Sequence, residues 1–181
     1  MASVTLATWI TLARLLLVAP MLVMAHLAPE RWFVPLLVVL WIAMLSDIAD
    51  GWIARFANQR SALGGFLDPL TDKILIYCLL FTFYGHGVYS VWTVFPMFIR
   101  DTLVDGWRSY GASQGRVLAS NVWGKLKFSL QFVSLNAAIL AMMVPDAWAS
   151  SVALAANGIL LAALVASLPG CVALAKPGRA G

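Results

Sequence analysis

The sequence has few charged residues and only two cysteines. Charged residues make up 11% of its 181 positions, against about 25% in soluble domains, and 62% of its residues are hydrophobic. This composition excludes an ordinary soluble domain and predicts an integral membrane protein. Cys78 and Cys171 lie far apart in apolar segments. They are therefore interpreted as small buried side chains rather than as a disulfide or part of a metal site.

Other familiar features are also missing. Internal repeats, low-complexity segments and linkers are lacking, so we expect one membrane domain, residues 1–181. The N-terminus has no basic segment of the signal-peptide type, and Arg14 interrupts its apolar run, which predicts a retained first span. No Ser/His/Asp or Cys/His arrangement indicates a nucleophilic enzyme, and the modest net charge of +4 gives no reason to expect a nucleic-acid partner.

Apolar runs of about 20 residues predict six membrane-spanning helices. The predicted spans are residues 8–27, 33–56, 66–84, 91–113, 122–144 and 149–174. Because the connections between them are short, consecutive helices should be antiparallel neighbours. The fold class is therefore an all-α membrane bundle with six transmembrane helices.

The lysines and arginines predict the orientation of this bundle. Most of them fall in or beside the second and fourth connections and near the C-terminus, whereas Arg31 is nearly alone on the opposite side. The positive-inside rule then places both termini at the cytoplasmic face of a multi-pass protein of the cell membrane.

Four carboxylates stand at the ends of two apolar helices on that cytoplasmic side. Asp47 and Asp50 are three residues apart, and Asp68 and Asp72 are four apart, so each pair shares a helix face. A short glycine-containing loop joins the two helices, which allows all four carboxylates to converge. Clustered acids in a low dielectric need a positive partner, and divalent metal ions are the natural candidates. Such a site favours phosphate chemistry.

Two alternatives to a metal site are salt bridges between helices and an ion-coupled transport pathway. The acids could form salt bridges between helices, but nearby basic residues are needed elsewhere. They could instead belong to an ion-coupled transporter, because intramembrane aspartates mark ion pathways. A transporter would place its acids near the membrane midplane, whereas these lie at the cytoplasmic ends of adjacent helices.

The acidic segment resembles the signature of the CDP-alcohol phosphatidyltransferases. That signature reads Asp-x2-Asp-Gly-x2-Ala-Arg-x8-Gly-x3-Asp-x3-Asp, and every position is matched between Asp47 and Asp72. The resemblance extends over nearly the whole chain and implies a six-helix membrane enzyme with its active site at the cytoplasmic interface.

The resemblance also implies roles for these residues. Two divalent cations, Mg²⁺ or Mn²⁺, would be held by Asp47, Asp50, Asp68 and Asp72. Asp72 would also be the base toward the acceptor hydroxyl. Residues expected to contact the CDP-linked lipid are Gly51, Ala54, Arg55, Gly64 and Thr11. Arg55 lies beside the acids, and a guanidinium suits a diphosphate.

Basic residues outside the signature indicate a phosphorylated acceptor. Asp101, Asp105 and Arg108 form a polar stripe on the fourth helix that we expect to face the bundle. The predicted contacts of the acceptor phosphate are Arg100, Arg108, Arg116, Lys125 and Lys127.

This half of the chain resembles the bacterial phosphatidylglycerophosphate synthases within the family. Arg100, Arg108, Gly124, Lys125 and Lys127 match their pattern, whereas Asp101 replaces a glutamate and Phe128 a threonine. In the first span, Thr8 replaces an asparagine. By this resemblance, CDP-diacylglycerol is the donor and sn-glycerol 3-phosphate the acceptor.

Other acceptors stay open at this point. They are phosphatidylglycerol (which would give cardiolipin), inositol phosphate and serine; a basic pocket disfavours serine. The partners implied are these substrates and the lipid bilayer. A homodimer is allowed, since homodimers are common in the family.

Overall fold

The computed structural model describes residues 6–27, 33–45, 62–114 and 122–175. Within these ranges, the side chains of residues 6–14, 27, 62–69, 72, 112 and 172–175 lie outside the description. The described part contains six helices and no strand, which confirms the all-α prediction. The helices are α1 (Leu6–Leu27), α2 (Phe33–Leu45), α3 (Ala62–Gly85), α4 (Val91–Ser113), α5 (Val122–Ala141) and α6 (Asp146–Ala175).

The helices differ in whether they are long and apolar enough to cross a membrane. Among the described residues, one helix is long and apolar enough to span a membrane, Asp146–Cys171 in α6, with a mean hydropathy of 2.1. Shorter apolar helical stretches cover Leu15–His26, Phe33–Leu45 and Lys73–Gly85. Five of the predicted spans correspond closely to helices, and residues 46–56 of the second predicted span lie outside the described residues.

The chain divides into two compact units, Met1–Phe83 and Tyr84–Gly181. In the first unit, fully buried side chains recur at helical spacing. They include Met21 and Ala25 in α1, Leu36 and Leu40 in α2, and Leu79, Leu80 and Phe83 in α3.

The second unit is built around α6. In this unit α5 packs along α6, and α4 contacts α6 over a shorter stretch. Ala138 of α5 and Ala156 and Ala163 of α6 are fully buried. Such small side chains let helix backbones approach closely. The turn between α5 and α6 is short, so the two helices run antiparallel.

A polar network fixes the connection between α3 and α4 against α5 and α6. The Asn157 Nδ2 donates to the Val88 carbonyl at 2.8 Å, and its Oδ1 accepts from the Ser90 backbone N–H at 2.8 Å. Tyr89 and Ser134 hydrogen-bond at 2.7 Å through their hydroxyls, and Ser134 donates to a carbonyl of α6. Burial raises the pKa of Tyr89, which keeps its hydroxyl protonated. This network holds the start of α4 in place.

Helix α4 buries the charged side chain of Asp101 and exposes apolar ones. Asp101 is 2% exposed, whereas Leu103 is 68% exposed and Tyr110 61%. In α6, likewise, Leu154 is 74% exposed and Ser167 is fully buried. Helices of soluble proteins show the opposite arrangement. The predicted polar stripe of α4 is therefore confirmed at Asp101, which is set into the protein interior.

Candidate active site

The predicted metal and donor site falls mainly outside the described residues. Six of the predicted site residues lie there: Asp47, Asp50, Gly51, Ala54, Arg55 and Arg116. Four others lie in helices, but the structure describes only their backbone: Thr11 in α1, and Gly64, Asp68 and Asp72 in α3. Because Asp68 and Asp72 belong to one continuous helix and are four residues apart, they share a face of α3.

The metal site itself remains a prediction. Among the described side chains, no three His, Cys, Asp or Glu residues lie together as metal ligands would. The four predicted aspartate ligands are not among those side chains.

The acceptor half of the site is described, and it centres on a buried carboxylate. Asp101 of α4 accepts from the Arg100 Nη1 at 2.7 Å and from the Lys127 Nζ at 2.5 Å. Lys127 is itself buried, so a long side chain from α5 reaches across to α4. A buried ammonium needs a nearby anion, and Asp101 supplies it. Two of the predicted phosphate contacts are thus brought together around one acid.

The guanidinium of Arg100 is engaged on two sides. Its Nη1 binds Asp101, and its Nη2 donates to the Ser167 carbonyl of α6 at 3.0 Å. These bonds tie α4 to α6 and hold the positive charge in a fixed place. Arg100 therefore contributes charge and also positions Asp101.

Two further predicted cations differ in their surroundings. Arg108, two turns along α4 from Asp101, is half-buried. The positive charges of Arg100 and Arg108 lie near enough to Lys127 to repel its ammonium group. Lys125 is exposed, because a shift of two residues turns it away from the buried face that holds Lys127.

The cluster carries an excess of positive charge. Arg100 and Lys127 both bind the carboxylate of Asp101, and Arg108 places a further positive charge near Lys127. These four residues carry a formal charge of +2, which becomes +1 when the carboxylate of Asp105 is included. Asp105, one turn further along α4, is half-buried and has an interaction of its own. A partly dehydrated group of cations with surplus charge is suited to an anion.

Unsatisfied hydrogen-bond donors support this interpretation. Among the described residues, three buried side-chain polar atoms lack a hydrogen-bond partner: Arg100 Nε, Arg108 Nε and Gln131 Nε2. All three are N–H donors, and leaving one unsatisfied costs about 1–3 kcal/mol. An oxyanion such as phosphate would supply the acceptors that they lack.

Sequence reasoning missed two features of this cluster. It placed Asp101 in a polar stripe without predicting its bonds to Arg100 and Lys127. It also passed over Gln131, which follows Lys127 by four residues and lies on the same buried face of α5. A glutamine inside an apolar helix, one turn from a buried lysine, was the available signal.

Comparison with known proteins identifies relatives along most of the chain. A family model described as CDP-alcohol phosphatidyltransferase matches residues 4–168. Three similar curated proteins are all named CDP-diacylglycerol–glycerol-3-phosphate 3-phosphatidyltransferase. The Bacillus subtilis protein is 33% identical over 72% of this chain and 74% of its own length. The Sodalis glossinidius protein is 31% identical over 82% of each chain. The Salmonella choleraesuis protein is 33% identical over 71% of this chain and 72% of its own length.

The matched family agrees with the composition and with the acidic signature. Its members are membrane-associated and generally use divalent metal ions. The long apolar α6 is consistent with the first property, and the carboxylates between Asp47 and Asp72 are ligands of the type that the second requires. From the family match over residues 4–168 and from these relatives, the chain belongs to the CDP-alcohol phosphatidyltransferase family and is a transferase.

Proposed function

We propose that this enzyme transfers the phosphatidyl group of CDP-diacylglycerol to sn-glycerol 3-phosphate, forming phosphatidylglycerophosphate and releasing CMP. The observation that carries the choice of acceptor is the positively charged cluster around Asp101, with its unsatisfied N–H donors. A phosphorylated acceptor matches that cluster in charge and in hydrogen-bond acceptors, whereas serine does not. The names of the curated relatives support the same reaction.

The donor site is assigned to the acidic segment. Asp47, Asp50, Asp68 and Asp72 would hold two divalent cations, Mg²⁺ or Mn²⁺, because such hard cations prefer carboxylate oxygens. Bound there, the cations would offset the charge that builds on the diphosphate as CMP leaves. Contacts with the CDP-linked lipid are assigned to Gly51, Ala54, Arg55, Gly64 and Thr11.

The transfer is a direct displacement. The carboxylate of Asp72 takes the proton of an acceptor hydroxyl, and the freed oxygen attacks the lipid-side phosphorus in line with the leaving group. The bond from that phosphorus to the bridging oxygen breaks, and the electron pair leaves with CMP. No covalent enzyme intermediate is needed.

The acceptor phosphate is assigned to Arg100, Arg108, Arg116, Lys125 and Lys127. Arg108 acts most directly in this proposal, because its charge lies near the buried cluster and its Nε has no hydrogen-bond partner among the described residues. Lys127 adds charge from an ammonium group already held by Asp101. Arg100 adds charge from a head group already held by Asp101 and Ser167. The exposed Lys125 attracts the anion from a longer distance.

The proposed setting is a six-span bundle in the cell membrane, with both termini and the active site on the cytoplasmic side. The outward-facing apolar side chains of α4 and α6 support contact with lipid, as Leu103 and Leu154 illustrate. The distribution of lysine and arginine supports the orientation. In this proposal one membrane domain comprises both compact units, and homodimerisation is allowed.

The proposed reaction is tested by incubating purified protein with CDP-diacylglycerol, Mg²⁺ and one acceptor at a time. The acceptors are sn-glycerol 3-phosphate, phosphatidylglycerol, inositol phosphate and serine, and the lipid products are identified by mass spectrometry. We expect phosphatidylglycerophosphate with the first acceptor and little product with the others. A product formed only with another acceptor would refute the assignment of glycerol phosphate. Failure of all four, together with metal-coupled ion flux in liposomes, would refute the proposed reaction and favour an ion-coupled transporter.

A further inference from the structure

Helix α5 carries three buried polar side chains in a row on one face: Lys127, Gln131 and Ser134. The two outer members have partners. Lys127 binds Asp101, and Ser134 bonds with the Tyr89 hydroxyl and with the Ala156 carbonyl. Gln131, between them, is 1% exposed, and its Nε2 has no hydrogen-bond partner among the described residues.

The position of Gln131 connects it to the cation cluster. Side chains four residues apart on a helix are neighbours, with Cβ atoms about 6 Å apart, so Gln131 lies beside Lys127. The other two unsatisfied donors are Arg100 Nε and Arg108 Nε. Arg100 belongs to that cluster, and the charge of Arg108 acts on its Lys127. The unsatisfied donors of this part of the chain are thus associated with one charged region and are not scattered through the core.

A purely structural role explains Gln131 poorly. A buried amide that packed only against apolar neighbours would be replaced favourably by a hydrophobic residue of similar volume. Its side chain retains a neutral donor, which is suited to an oxygen atom and does not alter the charge of the cluster.

We propose that Gln131 is a further acceptor-binding residue, whose side-chain amide donates a hydrogen bond to an oxygen of the bound glycerol phosphate. This inference rests on the proposed function, since it requires an acceptor at the cluster around Asp101. Gln131 adds specificity, because an acceptor without an oxygen at that point leaves the amide unpaired.

The test compares Gln131→Met with the wild-type protein in detergent. Methionine is similar in size and removes the donor. We expect the KM for sn-glycerol 3-phosphate to rise about tenfold, the effect of a loss of about 1.4 kcal/mol. The KM for CDP-diacylglycerol should change less than about twofold, because a contact confined to the acceptor affects one substrate only.

A matched control comes from the same face of α5. Ser134→Ala removes a hydroxyl whose hydrogen bonds are all within the protein, so it should lower the thermal midpoint and leave both KM values unchanged. Gln131→Met should show the reverse pattern, with an unchanged or raised thermal midpoint and a selective rise in KM.

A second variant and a binding measurement keep the test independent of one substitution. Gln131→Glu retains the shape, removes the donor and adds negative charge, so it should raise the acceptor KM further than Gln131→Met.

Glycerol 3-phosphate should raise the thermal midpoint of the wild-type protein by mass action, and it should raise the midpoint of both variants by less. Inorganic phosphate in place of glycerol 3-phosphate shows which oxygen is bound. If phosphate reproduces the difference, the contact is to the phosphate group; if it does not, the contact is to the glycerol.

The outcomes separate the two claims. An active wild-type protein with unchanged acceptor KM in both Gln131 variants would overturn the role of Gln131 and leave the proposed function standing. An equal rise in the KM of both substrates would also overturn it. Wild-type protein that makes no product from glycerol 3-phosphate would overturn the proposed function and, with it, this inference.

Discussion

Replacing Asp72 with asparagine is expected to lower kcat by about 1,000-fold or more. The substitution removes both a proposed metal ligand and the proposed base toward the acceptor hydroxyl, and a general base alone contributes about 10²–10⁴-fold. Asparagine keeps nearly the same shape, so CDP-diacylglycerol binding should remain detectable. The measurement is CMP release at saturating concentrations of both substrates, together with a binding assay for the CDP-lipid.

Asp146 provides the matched control for that substitution. It is an exposed aspartate in the first turn of α6, and the same change at Asp146 should leave turnover unaltered. Its only expected effect is a small loss of stability, since a negative charge near a helix N-terminus is favourable. Near-normal turnover of Asp72→Asn would end the assignment of Asp72 as the base.

Replacing Asp101 with asparagine is expected to cause a large loss of stability. Asp101 is buried and binds both Arg100 and Lys127, so its neutralisation leaves two cations without their anion. Removing one partner of a buried ion pair costs about 3–5 kcal/mol. Thermal unfolding of the purified variant in detergent should therefore show a clearly lowered midpoint.

A second substitution identifies the cause of that loss. Lys127→Met in the Asp101→Asn background removes one of the stranded cations, so the double variant should be more stable than Asp101→Asn alone. If Asp101→Asn unfolds at the wild-type midpoint, the ion pair does not stabilise the fold. If the double variant loses as much stability as Asp101→Asn and Lys127→Met lose together, the two residues act independently.

Hydropathy predicted where the helices lie, because both lipid contact and core packing select apolar residues. It was less accurate at helix ends, where local hydrogen bonds decide. The fifth predicted span extended to Val144, but α5 ends at Ala141, since residues 142–144 form a turn before Pro145. Helix α6 begins at Asp146, where the Pro145 carbonyl accepts the Trp148 N–H at 2.8 Å. Such capping contacts do not register in an average over an apolar window.

The reaction class could be predicted because the acidic signature is a local pattern with fixed spacing. The pairing of charges could not, because Asp101 and Lys127 are 26 residues apart and meet only after α4 and α5 are placed. The sequence identified Arg100 and Lys127 as cations available to a phosphate. The structure shows that both also bind Asp101, since a buried cation requires an anion nearby.

Gln131 illustrates a second limit of sequence reasoning. An uncharged side chain in an apolar helix belongs to no recognisable motif, and its importance appears only when its partners are counted. The structure shows that its neighbours on α5 are satisfied while its amide is not. An unsatisfied buried donor is a property of the fold and has no counterpart in the spacing of residues.

The proposed carboxylate-bound cations are tested most directly by following CMP release from CDP-diacylglycerol and sn-glycerol 3-phosphate during metal removal and return. Purified protein is assayed as isolated, after treatment with EDTA, and again after addition of excess Mg²⁺ or Mn²⁺. We predict that chelation abolishes CMP release and that either metal restores it together with the lipid product. CMP release that continues unchanged through chelation would contradict the proposed mechanism.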